Sequence, residues 1–149
     1  MMVRENFWQR PLDSLNDAEW EALCDGCGRC CLHKLQDEED DQVYFTDVVC
    51  RLFDQRQGGC QKYEQRQQLV ADCLSIRDAG EAVFAFLPST CAYRLRFQGQ
   101  PLPAWHPLLS GDPGLLQQLG IGIRNRVVCE TQIQSTDDLE ERIIHWVEA

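Results

Sequence analysis

The sequence predicts a small, irregular α+β domain, helix-rich with short strands and stapled by cysteine-ligated metal. Three observations carry that expectation. The chain has 149 residues, which suits one domain with a modest core. Its 44% hydrophobic and 26% charged residues are those of a soluble, globular chain. It also holds nine cysteines, and four of them crowd into Cys24-Asp25-Gly26-Cys27-Gly28-Arg29-Cys30-Cys31. A single cysteine-cluster domain over 1–149 is therefore expected, with the cluster segment at 24–91.

The first element is a helix starting at Asp17. Asn16 is a capping residue, and Glu19 stands where the acid of a capping box belongs. Trp20 and Leu23 follow on one face. The helix delivers Cys24 at its end, and Gly26 and Gly28 release the chain into a loop able to fold around a bound object. Two short strands come next, at Leu32–Leu35 and Gln42–Thr46, around the acidic run Asp37-Glu38-Glu39-Asp40-Asp41. Carboxylates suit hard cations. This run lacks the spacing and the glycine of an EF-hand, so it reads as a solvated turn.

Residues 55–68 are polar, with a break at Gly58-Gly59. A short buried helix is expected over 79–87, ended by Pro88. Ser89 or Thr90 would cap another helix, Cys91–Phe97, stopped at Gly99. Residues 100–114 carry four prolines and read as a surface loop. A strand is expected at 126–129. The end reads as an amphipathic helix over about 136–148, with Leu139, Ile143, Ile144 and Val147 on one face and Asp137 and Asp138 in the first turn. Segment 24–91 has few strong apolar periods apart from 79–87, so its order is expected to depend on coordination.

Charge excludes some functions. A formal net charge of −10, with no Lys/Arg cluster, argues against nucleic acid as a partner. The start MMVRENFWQR has no apolar signal region, and the longest apolar run, AVFAFL at 82–87, is too short to span a bilayer. The expected location is the cytoplasm, with no membrane partner. In that reducing compartment, dense thiols point to metal or to redox chemistry rather than disulfides.

Spacing then narrows the chemistry. Two residues between cysteines let one turn aim both sulfurs at an ion, so CxxC is the usual half-site for zinc. Cys24, Cys27 and Cys30 extend it to CxxCxxC, the way bacterial ferredoxins wrap a [4Fe–4S] cube. That spacing leans toward iron–sulfur, while division into two sets of four thiolates suits zinc equally. In extended chain Cys30 and Cys31 would point to opposite sides and serve different sites. Cys50, Cys60, Cys73 and Cys91 supply the remaining ligands, and the spacing leaves open which joins which site. A thioredoxin-like CxxC would want a βαβ context, which is missing here. His33 reads as a supporting or surface group beside filled sites. His106 and His145 read as ordinary histidines, and Cys129 as a core thiol.

These residues resemble the YkgJ-type CxxCxxCC cysteine-cluster family and, within it, the YcgN family of small bacterial proteins. Cys24, Cys27, Cys30 and Cys31 carry the motif. Further matching pieces are Cys60-Gln61-Lys62-Tyr63-Glu64-Gln65-Arg66 with Asp72-Cys73, Leu87-Pro88-Ser89-Thr90-Cys91-Ala92-Tyr93-Arg94, Pro103-Ala104-Trp105-His106-Pro107, and Asp17-Ala18-Glu19-Trp20-Glu21. The match runs from about residue 7 to 111, and Cys129 lies outside it. The resemblance implies a domain that chelates zinc or iron, and no particular reaction. No GxSxG, HExxH, P-loop, GxGxxG or CxxxCxxC occurs, so no catalytic constellation is found. The expected function is metal binding. The alternatives are an iron–sulfur redox or catalytic accessory and a zinc-stapled adaptor for a protein partner.

Overall fold

A computed structural model describes residues 2–56, 60–70, 76 and 81–149. Helix α1, Asp17–Leu23, begins with the expected capping box: Asn16 Oδ1 accepts from Glu19 N–H at 2.9 Å, and Glu19 Oε1 accepts from Asn16 N–H at 2.9 Å. Arg4 completes it, giving its Nε to Glu19 Oε2 at 2.9 Å and a terminal nitrogen to Oε1 at 2.7 Å. Glu19 is fully buried, and the Arg4 hydrogen bonds hold its carboxyl down at about 2.

The acidic run is the tip of a hairpin between β1, Leu32–Gln36, and β2, Val43–Val49. Its carboxylates accept from its own backbone: Asp37 from Glu39 N–H, Asp40 from Gln42 N–H. Strand β2 is the sheet's centre. β1 runs antiparallel along one edge, and two strands share the other. These are β3, Val128–Cys129, parallel at Val48–Val49, and β4, Ile143–Glu148, antiparallel at Tyr44 and Thr46. Paired on both edges, β2 buries Val43, Phe45, Thr46, Val48 and Val49. The α+β class is borne out.

Strand β4 corrects the expected C-terminal helix. Thr136–Arg142 is a 3-10 turn, and the chain is extended from Ile143. Leu139, Ile143, Ile144 and Val147 fit a helical face, but a short apolar run rich in β-branched and aromatic residues fits a strand as well. The free edge of β2 decides between them, and Arg142 secures the approach with an Nε–H to Asp47 Oδ1 at 2.8 Å.

Two apolar clusters hold the chain. One joins the sheet to Phe53 and Ile123; the other packs Phe7, Leu15 and Leu23 against Ala92, Tyr93 and Leu102. Segment 24–91 therefore has apolar packing of its own at β2 and Phe53, beyond the 79–87 stretch that the sequence singles out. Glu81–Phe86 is a 3-10 helix that buries Val83, followed by buried Leu87. The next helix, α3, is Ala92–Phe97, and its N-cap is Cys91 rather than Ser89 or Thr90. Short helices α2 (Arg66–Leu69), α4 (Pro107–Ser110) and α5 (Leu115–Gln118) lie elsewhere. The expected surface loop at 100–114 thus contains a helical turn, and it sends Leu102 and His106 into the interior.

Candidate metal centre

The CDGCGRCC loop leaves the helical cluster at Leu23 and enters the sheet cluster at Leu32, so it bridges the two. Gly26 and Gly28 sit at φ +79° and +80°, the left-handed region where glycine alone is unstrained. Gly28 is also confined: a Cβ there would lie 2.6 Å from Phe53 Cε2 and 2.9 Å from Ile123 Cγ1. Asp25 Oδ1 accepts from Cys27 N–H at 3.0 Å and tightens the first turn. Backbone N–H groups also reach two sulfurs, Gly26 to Cys24 Sγ and Arg29 to Cys27 Sγ, each at 3.4 Å. Such donors favour thiolate over thiol.

The loop is anchored by Arg29, His106 and Tyr93, none of which the sequence marks as an anchor. Arg29 is 5% exposed and gives its Nε to Ile121 O at 2.8 Å, with further bonds to Gly120 O and Thr90 Oγ1. His106, read as ordinary, is 1% exposed; its Nε2 meets Leu23 O at 2.8 Å while Nδ1 accepts from Leu108 N–H at 3.1 Å. With Nδ1 accepting, Nε2 carries the proton and donates to the carbonyl that precedes Cys24. The Tyr93 hydroxyl donates to Trp20 O at 2.6 Å, tying α3 to α1. Those ties bring the end of α1, which carries Cys24, to the start of α3, which carries Cys91. In the sequence only His106-Pro107, a cap followed by a first-turn proline, signals any of this.

The cysteines fall into two neighbourhoods. Cys24, Cys27, Cys30 and Cys91 lie close enough to feel one another's charge. Cys50 and Cys60 form the second: Cys60 bridges Phe53, whose N–H donates to Cys50 O at 3.0 Å, and burial, with Cys60 nearby, pushes the Cys50 thiol up. Cys31 borders it, because Cys50 N–H donates to Cys31 O at 3.0 Å. Cys73 lies outside the described residues. The doublet is not extended as expected: Arg29–Cys31 is a 3-10 turn, and the Cys30 and Cys31 thiols are hydrogen-bonded. Cys129 is half-buried at the end of β3, with Thr131 Oγ1 donating to its sulfur at 3.2 Å, and so is not a core thiol. His33 is partly exposed and pairs with Glu130 at 3.3 Å.

Electrostatics set the thiols apart. Burial pushes Cys27 well up and Cys91 to about 12, and burial of the Cys24 sulfur, with Cys30 and Asp25 beside it, raises that thiol too, although the residue as a whole is exposed. Cys30 goes the other way, down to about 7, through the hydrogen bond with Cys31 and the Lys34 ammonium. A bound cation would invert this order by displacing the protons. Among the described residues, no three His, Cys, Asp or Glu side chains stand close enough to hold a metal ion. The donor set nevertheless suits one: soft sulfurs, cationic Arg29 and Lys34 to offset their charge, and an Asp25 Oδ2 that is buried with no hydrogen-bond partner.

Comparison with known proteins agrees with this chemistry. Residues 23–92 match the CxxCxxCC family, described as "Putative zinc- or iron-chelating domain". A UPF0260 protein of Marinobacter nauticus is 47% identical over 148 residues, covering 99% of both chains. One of Cellvibrio japonicus is 46% identical, covering 99% of this chain and all of that one. The UPF0260 protein YcgN of Salmonella newport is 47% identical over 139 residues, 93% of this chain and 91% of its own. No solved structure matches. Among the described residues, no helix is long and apolar enough to cross a membrane. Full-length identity near one half, together with the CxxCxxCC domain match, shows that the chain belongs to the UPF0260 family.

Proposed function

We propose that this protein binds zinc or iron in the cytoplasm through two adjoining thiolate sites. The first is Cys24, Cys27, Cys30 and Cys91; the second is Cys31, Cys50 and Cys60, with Cys73 as the remaining thiol of the eight. The observation that carries this is the approach of Cys91 to the CxxCxxC loop, enforced by Tyr93 on Trp20 and His106 on Leu23. A chain that wanted only core thiols would have no need to bury like donors together, since each disfavours ionisation of the next. Metal bound there would supply positive charge that converts the thiols to thiolates and fixes the loop. Arg29 and Lys34 limit the negative charge that remains, and the N–H groups on Cys24 and Cys27 orient their sulfurs.

A second reading, iron–sulfur, is favoured by CxxCxxC and by those same N–H groups, because hydrogen bonds to sulfur tune cluster potentials. Metal analysis and absorption spectra of protein purified without air test both. Stoichiometric metal is expected, with Cys91→Ser and Cys60→Ser each losing part of it and the double variant losing both parts. Colourless protein with bound zinc selects the first reading, and brown protein the second. Metal-free, folded, reduced protein with every thiol reactive overturns both.

A further inference from the structure

Asp25 is the residue whose surroundings the thiols alone do not explain. Its side chain is 9% exposed. One carboxylate oxygen is fixed by Cys27 N–H at 3.0 Å, so the group has a defined orientation. The other, Oδ2, is buried without any hydrogen-bond partner. Cys24, Cys27, Cys30 and Cys91 all lie within its electrostatic reach. Arg29, the nearby cation, gives three of its five N–H donors to Ile121 O, Gly120 O and Thr90 Oγ1 and none to Asp25 Oδ2. An orphaned buried oxygen is costly and rare in folded chains, and beside four thiols its natural partner is the ion they share.

We infer that Asp25 Oδ2 is itself a ligand, so that the metal of the first site sits in a mixed sulfur–oxygen set rather than among thiolates alone. This rests on the two-site reading above. The local chain supports it: Oδ1 is held by the turn that aims Cys27, and the carboxylate follows directly on Cys24. A hard oxygen among soft sulfurs weakens selectivity for the softest metals and suits zinc or ferrous iron. The second site has no such group among the described residues. The two sites would then differ in donor chemistry within one short loop.

Cobalt(II) titration of the reduced, metal-free chain tests this. Sulfur-to-cobalt charge transfer counts the thiolates, and the visible d–d bands report the donor set. Asp25→Asn keeps the Oδ1 acceptor for Cys27 and replaces the free oxygen with a non-ligating NH2. The expected result is an altered d–d envelope, the sign of a changed donor set, and binding of one cobalt equivalent weakened by at least roughly ten- to hundred-fold, the loss that removal of a merely supporting group already brings. The thiolate charge transfer at saturation should be unchanged, and metal-free Asp25→Asn should be no less stable than the parent. Asp25→Ser, which retains a turn-forming oxygen, serves if the asparagine variant fails to fold. Identical bands and affinity in a folded variant overturn the inference and leave the thiolate sites standing. No sulfur-to-cobalt charge transfer in the parent overturns the two-site reading itself.

Discussion

Gly28→Ala isolates how tightly the cysteine loop is fitted between the two clusters. The new Cβ would meet Phe53 Cε2 at 2.6 Å, Phe53 Cζ at 2.8 Å and Ile123 Cγ1 at 2.9 Å, and the backbone stays at φ +80°. Left-handed backbone costs an alanine about 1–2 kcal/mol, and overpacking a core adds about 1–3 kcal/mol. The total is about 2–5 kcal/mol. Gly26→Ala is the control, because it shares the left-handed φ of +79° but has nothing within 4 Å of its Cβ. It should lose only the backbone part, about 1–2 kcal/mol. In urea, with a slope of about 2 kcal/mol per M, the two midpoints should differ by about 0.5–1.5 M. A second effect follows from Phe53, which donates to Cys50 O and bridges Cys60. Pushing it aside should weaken metal binding at the second thiol set, although Gly28 lies in the loop of the first. Equal midpoints for the two variants would refute the packing argument.

Four further outcomes are expected. Cys31→Ser should lose metal and stability, whereas Cys129→Ser, half-buried and bonded to Thr131, should keep its metal per chain; metal analysis beside melting temperature checks both. Glu19 is held at about 2 by Arg4 against an ordinary 4.5, so its contribution is complete above 4.5 and is lost as pH falls toward 2. The melting temperature of Glu19→Gln should accordingly fall less than that of the parent across that window. His106→Ala strands the Leu23 carbonyl and the Leu108 N–H, which should cost about 1–3 kcal/mol in denaturant and weaken the first thiol set through Cys24. Chelation should raise hydrogen exchange at 24–31 and 50–60 while the amides of β2 stay protected, and exchange that rises uniformly through the sheet would contradict this.

What could be read in the sequence was local. The capping box at Asn16 and Glu19 and the hairpin around the acidic turn depend on residues a few positions apart, so their chemistry is visible in one window. Strand β4 was not visible, because the same four apolar residues satisfy a helical face and its fate depends on an edge of β2 far earlier in the chain. The thiols were legible as a set by spacing. Their division was not, since it comes from carbonyl acceptors: Leu23 O for His106, Trp20 O for Tyr93, and Ile121 O for Arg29. Carbonyls carry no sequence identity, so nothing in the letters announces which loop a buried arginine or histidine will hold. Asp25 was in plain view inside the motif, and its orphaned oxygen emerges only once burial is known.

On the proposed reading, the stapling role of metal is narrower than the cysteine count suggests. Leu23 closes one apolar cluster and Leu32 opens the other, each about 2% exposed or less. Between them the loop is held by Arg29 on two carbonyls, Ile123 N–H on Cys27 O at 3.1 Å, and Lys34 on Cys30 O at 2.9 Å. None of these bonds involves a thiol. They position the loop that carries Cys24, Cys27, Cys30 and Cys31 without calling on a sulfur. On the proposed two-site reading, metal would supply the drawing together of sulfurs to about 2.3 Å from a common ion. Its free energy would then go into closing a loop that protein packing already positions, and the sheet beneath, with Phe45, Val48 and Val49 buried to within 1% exposure, keeps its own reasons to fold.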